Sequence, residues 1–453
     1  MRSVKIVLIG LLLFLIFIHL WQLDTIPKGL YVDESSIGLN AALIAQTGYD
    51  EHGKFMPIFF EAFGEYKNPL YIYLTSIIFK LADVSVFNLR LTSFIFFALF
   101  LTGLYLLVKK IFQTKFVIFY SLLAGGSLPW FFTLSRISFE AISQLTVFIF
   151  CLYFLYMAYS RYGKYAFLYA FITGVIMGIS VYSYTTARLL SFLMLLTILI
   201  VFYKQIKKWL FLLFGFLIGI IPYINFYFSD STRLANRFNE VTYIYNSHLT
   251  FGEKIIQFLQ NYLYYLSPTY LFLKGDSILR HHIGYNGEVY ITVGVLSIIG
   301  IGWFLIKDRR NLFLLFLLIN LLLSPVAAAL TTGDSSLRSL LVGLYLLLFS
   351  IYGFNVLVNL SNKKYKLSLL MGILILLAVE IYGYLNYYFV VYPQKSVWDF
   401  QSYDFPQSLR LALNQNPTDI VVSSQANRPY AHLSFYTQAM HLKTTTPISV
   451  GIT

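Results

Sequence analysis

Long apolar runs alternate with short polar connections along almost the whole chain, and their spacing sets the architecture before any single residue does. The runs fall at roughly 4–20, 88–108, 116–134, 138–159, 166–184, 188–203, 209–228, 288–306, 312–330, 338–359 and 367–391. A helix needs about 20 mostly apolar residues to cross a bilayer, so the pattern predicts an all-α polytopic membrane protein with about 11 transmembrane helices. Basic residues recur on every second connection: Arg2 and Lys5; Lys109, Lys110 and Lys115; Arg161 and Lys164; Lys204, Lys207 and Lys208; Lys307, Arg309 and Arg310; Lys363, Lys364 and Lys366. The positive-inside rule places all of these, and the N-terminus, in the cytoplasm.

The segment KNPLYIYLTSIIFKLA, 67–82, is apolar enough to resemble a span but is bracketed by Lys67 and Lys80. If it crossed, every later basic loop would fall opposite the basic N-terminus. Its length suits a helix lying in the interface, on the outer surface. The run 4–20 has a basic start and no small-residue cleavage site before Trp21, which reads as a retained first span. The organisation expected is a transmembrane domain over 1–391, with outer loops 21–87 and 229–287, followed by a short extracytoplasmic C-terminal segment, 392–453. That segment offers a strand-like run at 419–425 and a helix near 430–438, too little for a core of its own.

Composition agrees: 58% of the 453 residues are hydrophobic, 19% aromatic and only 12% charged, against about 25% charged in soluble domains. The formal charge of +13 follows the loop pattern and points to membrane lipids, with no nucleic acid as partner. Of 20 Asp and Glu residues, only Asp308 falls in a cytoplasmic loop and only Glu380 lies inside a span. Chemistry is therefore expected on the outer side of a plasma (inner) membrane. The single cysteine, Cys151, cannot form an intrachain disulfide.

The first outer loop carries PKGLYVDESSI, 27–37. Pro27 and Gly29 mark a turn, and residues 34–46 show helical apolar spacing up to a Gly48 stop. Asp33 would sit at the start of a short helix, either as its N-cap or as a chemically active carboxylate.

The pattern P-x-G-L-x-x-D-E, then A-L-I-A-x-T-G-x-D-E-x-G-x-x-x-P, then K-N-P-L-Y-x-Y-L and F-N-L-R-L resembles the first outer loop of the glycosyltransferase C superfamily. More narrowly it resembles the branch holding protein O-mannosyltransferases and the lipid A aminoarabinose transferase, most strongly over about residues 20–190. The resemblance implies two surface-lying helices in the first outer loop. It also implies transfer of a sugar from a polyprenyl-phosphate donor, with inversion, to a glycan, lipid or protein acceptor outside the cytoplasm. The catalytic Asp of the family's D-E pair corresponds to Asp33, a base for the acceptor hydroxyl. Glu34 either shares that work or supports the helix N-terminus.

A leaving phosphate also needs cations or donors. Outer-side candidates are Lys67, Arg136, Arg188, Arg280, His281, His282 and Arg338, the ordinary reading of any one being a snorkelling charge at a helix end. Glu140 lies four residues after Arg136, either as its partner on one helical face or as a second acid. Tyr184 is an interfacial aromatic or a stacking surface for a sugar. No metal site is indicated: His281 and His282 are adjacent, not spaced i and i+4, and no D-x-D pair occurs. The branch resembled generally needs no divalent cation, so no cofactor is expected. Two rivals share parts of this pattern. A lipid-linked glycan flippase or transporter would favour ionisable groups at the bilayer midplane. A glycan polymerase or ligase would favour an Arg-rich outer loop, and 229–287 holds Arg233, Arg237 and Arg280. The D-E pair favours the monomer transferase.

Overall fold

Eight of the expected runs form helices long and apolar enough to cross a membrane: Val86–Ile111, Ala141–Ser160, Lys164–Tyr182, Tyr203–Ser229, Ile291–Asp308, Leu312–Ala329, Ser336–Leu360 and Lys364–Lys395. The other three, 4–20, 116–134 and 188–203, contain the shorter apolar helices Ile6–Leu20, Lys115–Ser127 and Thr185–Val201. This computed structural model describes residues 2–230, 238–360, 363–415, 420–423, 428–440 and 448–451. Arg233 and Arg237 lie outside the described residues. The chain is a polytopic, helical membrane protein.

In chain order the first half comprises α1 (Arg2–Leu20), α2 (Val32–Thr47), a two-stranded antiparallel hairpin β1 (Phe60–Ala62) and β2 (Glu65–Lys67), and α3 (Pro69–Leu81). It continues through α4 (Val86–Ile111), α5 (Lys115–Ser127), α6 (Pro129–Leu134), α7 (Ala141–Ser160), α8 (Lys164–Ile179), α9 (Thr185–Val201) and α10 (Ile206–Ser229). The 67–82 segment is α3, whose 13 residues give a rod of about 20 Å, short of a bilayer's ~30 Å core. Pro69 at its first turn needs no N–H partner, which suits that position.

Helix α2 explains the site's local geometry. Tyr31, in extended backbone, is its N-cap, and the Glu34 carboxylate accepts the Tyr31 N–H at 3.1 Å. At the far end Gly48 takes φ +78° and its N–H reaches the Ile44 carbonyl, a C-cap that glycine adopts without steric cost. Asp33 is therefore inside the first turn and is not the cap.

Two buried arginines fix the approach to α2. Arg136 donates to the carbonyls of Ile18 at 2.8 Å, His19 at 2.7 Å, Trp21 at 2.7 Å and Gln22 at 3.2 Å. The last carbonyls of a helix lack intrahelical partners and carry partial negative charge, so Arg136 caps the end of α1. Arg90, inside α4, donates to the carbonyls of Leu23, Pro27 and Gly29 and to Glu34 Oε1 at 3.2 Å. Both guanidinium groups are completely buried.

Helices α8 and α10 pack backbone to backbone. Gly174 and Gly178 on one face Gly215 and Gly219 on the other, so that a Cβ at Gly178 would sit 2.7 Å from the Phe216 carbonyl and one at Gly219 2.8 Å from that of Val175. This is the small-xxx-small approach of membrane helices, where close packing takes the place of a hydrophobic driving force.

The C-terminal segment lies over the first loop. Helix Pro429–Ala439 packs on α2, with the Phe435 ring filling the space over Gly38. The Ser402 hydroxyl accepts the Leu30 N–H at 2.7 Å and donates to its carbonyl at 2.8 Å. Ser35 Oγ and His432 Nδ1 are 2.8 Å apart. The strand expected at 419–425 is Ile420–Ser423 and pairs in parallel with Ile448–Gly451; residues 419, 424 and 425 lie outside the described residues. Glu380, the acid inside the last run, accepts the N–H groups of Ile291 and Thr292 and so completes the start of helix Ile291–Trp303.

Candidate functional site

A cavity of about 460 Å³ forms where the first loop meets the segments 277–281 and 327–338. Its first-loop wall holds Tyr31, Asp33, Glu65 and Lys67, with Glu140 and Tyr184 from the starts of α7 and α9. The other segments bring Arg280, His281, Asp334 and Arg338. Seven of the eleven candidate residues thus line one space: Asp33, Lys67, Glu140, Tyr184, Arg280, His281 and Arg338.

The hairpin delivers Lys67 from its last position, and Lys67 Nζ lies 2.8 Å from both Asp33 Oδ1 and Glu65 Oε1. Burial alone would lower the Lys67 ammonium; Asp33, Glu65 and Glu140 outweigh it and raise it above the usual lysine range. The lysine stays charged and favours an ionised Asp33, whose side chain is 30% exposed.

Glu140 is held from the next residue along. Its carboxylate accepts the Asn68 N–H at 2.6 Å and the Asn68 amide at 2.7 Å, and Asn68 Oδ1 accepts from Arg188 at 3.0 Å. Burial pushes the Glu140 carboxyl up to about 7, against the opposing pull of Lys67 and Asn68. Arg280 stacks over Tyr31 at 4.0 Å from its ring centroid and lies 3.8 Å from Asp399 Oδ1 of the tail. Arg338 donates to Thr331 Oγ1 at 2.9 Å.

Four expected site residues occupy other places. Glu34 is sealed from the cavity: it pairs with Arg90 and accepts the Ser138 N–H at 2.9 Å, so of its two readings it takes the helix-supporting one. Arg136 is saturated by the carbonyls at the end of α1. It does not pair with Glu140, because residues 135–140 break the helix that their spacing suggested. Arg188 sits behind Asn68, its guanidinium over Phe59 and Tyr223. His282 is buried, and its Nδ1 accepts the Gly284 N–H at 3.1 Å.

Sequence reasoning missed Arg90, Asn68, Asp276 and Asp334. Arg90 had a signal, since a cation within an apolar run is costly unless partnered. Asn68 stood within the quoted K-N-P-L. Asp276 and Asp334 had none beyond lying in outer loops. Among the described residues no group of three or more His, Cys, Asp or Glu side chains is arranged to hold a metal ion.

Residues 66–226 match the profile of the family described as dolichyl-phosphate-mannose-protein mannosyltransferase. No curated protein matches the chain in sequence. The crystal structure of ArnT from Cupriavidus metallidurans in the apo state aligns with a TM-score of 0.60 and 12% identity, covering 99% of this chain and 86% of that one. ArnT bound to undecaprenyl phosphate gives 0.54 and 12%, covering 96% and 74%. The oligosaccharyltransferase AglB from Archaeoglobus fulgidus, in complex with an inhibitory peptide and a dolichol-phosphate, gives 0.53 and 14%, covering 97% and 64%. The chain has the glycosyltransferase C fold, and within it resembles the protein O-mannosyltransferase and ArnT-like branch.

Proposed function

We propose that the protein is a membrane glycosyltransferase that moves a hexosyl- or pentosyl-type sugar from a polyprenyl-phosphate donor to an extracytoplasmic acceptor, with inversion and with Asp33 as general base. The observation that carries this reading is the Asp33–Lys67 pair facing a cavity that also holds Arg280 and Arg338. An ionised carboxylate beside fixed cations is what a single displacement at a sugar phosphate needs: a base for the incoming hydroxyl and positive charge for the departing phosphate. Proteins of the same fold have solved structures with undecaprenyl phosphate and with a dolichol-phosphate bound, lipids of the proposed donor class.

In the proposed step the acceptor oxygen bonds to the anomeric carbon as the bond from that carbon to the phosphate oxygen breaks. The hydroxyl proton passes to Asp33, and the electron pair leaves with the lipid phosphate. Lys67, Arg280 and Arg338 meet the charge that develops. Glu140, by accepting from the Asn68 N–H and amide, sets the position of Asn68 and hence of the lysine beside it. The protein is integral to the plasma (inner) membrane in this reading, with a cytoplasmic N-terminus and the cavity and C-terminal segment outside; the acceptor is a glycan, lipid or protein.

The test incubates membranes containing the protein with labelled prenyl-phosphate sugars and compares wild type with Asp33→Asn. Transfer by wild type that the variant lacks supports the assignment. Undiminished transfer by the variant removes Asp33 as base, and lipid movement without transfer favours a flippase.

A further inference from the structure

We propose that His281, held by Asp276, is the general acid that protonates the departing lipid phosphate; the proposal rests on the transferase reading above. It begins from a difference among the cavity's cations. Arg280 and Arg338 cannot give up a proton in a protein, and Lys67 is locked in its charged form by three carboxylates. His281 is the remaining cavity-lining base, and imidazole carries a transferable proton near neutral pH.

Its setting is built for that task. Asp276 is 2% exposed, and its Oδ2 lies 3.0 Å from His281 Nδ1 and accepts the Ser336 N–H at 2.6 Å. Oδ1 accepts the Ile278 N–H at 2.8 Å. Burial alone would push the Asp276 carboxyl up, but His281 and these two amides outweigh it and hold it below the usual carboxylate range. The ionised Asp276 accepts a hydrogen bond from Nδ1–H, which leaves Nε2 as the nitrogen for the cavity, and in the imidazolium form Nε2–H is the proton to be given. The ring is braced by Phe139, edge to face at 5.7 Å, and the His281 carbonyl accepts from Ser336 Oγ.

The surrounding charges are of both signs, and Arg280 and Arg338 are the cations on this side of the cavity. Arg280 adjoins His281 in the chain, and Arg338 and Asp334 come from the facing segment, where Asp334 accepts from Ser277. Behind Asp276, burial and the nearby Asp276 charge raise Glu288 well above the usual carboxylate range, so it stays neutral. His282 is pushed down to about 4 by burial and stays neutral too. The tail contributes Lys395, near Gly284, and Asp399, against Arg280. Asp33, Glu65, Lys67 and Glu140 line the rest of the cavity.

The proton balance closes. As the bond from the anomeric carbon to the phosphate oxygen breaks, the Nε2 proton passes to a phosphate oxygen. Lipid phosphate then leaves as a monoanion, while Asp33 holds the acceptor's proton. Phosphate monoesters lose their second proton near pH 6, so the departing phosphate is able to hold the proton it receives.

The experiment measures transfer at saturating donor from pH 5.5 to 9 for wild type, His281→Gln and Asp276→Asn, with thermal unfolding of each in detergent. Wild-type turnover is expected to fall on the alkaline side. His281→Gln is expected to lose that limb and about 10²-fold in kcat, with donor KM far less affected. Asp276→Asn keeps the imidazole and is expected to move the limb to lower pH, which decides the matter if His281→Gln does not fold. An unchanged alkaline limb in the folded variants, or a rise in KM with kcat intact, overturns the proton-donor role. Absence of transfer by wild type overturns the transferase reading itself.

Discussion

Lys67 Nζ sits 2.8 Å from Asp33 Oδ1, so the proposed base is paired with a cation before any substrate arrives. A cation at this distance favours the carboxylate form, and the same ammonium lies in the cavity that a phosphate would enter. Asp33→Asn is expected to lower turnover by about 10² to 10⁴-fold with an unfolding temperature close to wild type, because its side chain is partly exposed and it is Glu34 that accepts the N–H of the Tyr31 cap. Lys67→Met is expected to raise donor KM as well as lower turnover. Steady-state kinetics on both variants, with thermal unfolding in detergent, checks this; a wild-type donor KM for Lys67→Met would remove the lysine from phosphate recognition.

The neighbouring acid behaves differently. Glu34 and Arg90 are both fully buried, and removing one member of such a pair leaves the other charge uncompensated, at a cost of about 3–5 kcal/mol. Arg90→Met is therefore expected to lower the unfolding temperature sharply and to reduce the amount of folded protein. An unfolding temperature within a degree or two of wild type would mean that the pair does not hold the loop.

Glu140 gives stability a pH dependence. Its carboxyl is raised to about 7 by burial, so the folded chain binds this proton more tightly than the unfolded chain. The stabilising contribution is complete below the unfolded value, near 4.5, and is lost as pH rises through about 7. Wild type should lose unfolding temperature between pH 5 and 7.5 relative to Glu140→Gln, which lacks the titrating group. Parallel profiles for the two proteins would contradict the raised value.

The α8–α10 contact predicts a position-specific intolerance. A Cβ at Gly174 would run into the Leu212 carbonyl, whereas Gly372 has nothing within 4 Å of its Cβ position. Gly174→Val should separate the helices and cut the yield of folded protein, while Gly372→Val should be tolerated. Fluorescence-detected size exclusion of detergent extracts compares the two, and equal yields would contradict the close packing.

The helical, polytopic plan was legible because apolar runs and basic loops are sequence-local signals. The identity of α3 was legible for the same reason, since its length and the charge pattern both argued against a span. Asp33 was singled out by the D-E pair of the resembled loop, and Lys67, Arg280 and Arg338 as basic residues on the side where the positive-inside rule leaves few; the four line one cavity. Arg136 and Arg188 gave the same signal and turned out otherwise, because a sequence does not say which carbonyls or rings a guanidinium meets. The helical spacing of Arg136 and Glu140 misled for a local reason: the chain turns after Leu134 and restarts as α7 at Ala141. Asn68 and Asp276 act through contacts 72 and 60 residues away in the chain, a separation no local pattern reports. The two G-x-x-x-G pairs at 174–178 and 215–219 carry a helix-contact signal that the sequence reading did not use.

The staple between Ser35 and His432 spans 397 residues, and it joins α2 to a helix that the ribosome reaches much later. At ribosomal rates of about 5–20 residues per second, the helix that bears Asp33 waits roughly 20 to 80 s for the segment that covers it. During that interval its Gly38 face, later filled by Phe435, has no roof. Packing around α2 is thus completed late in biogenesis, and a chain released before residues 429–439 have emerged would carry every residue that lines the cavity without the helix that packs on α2.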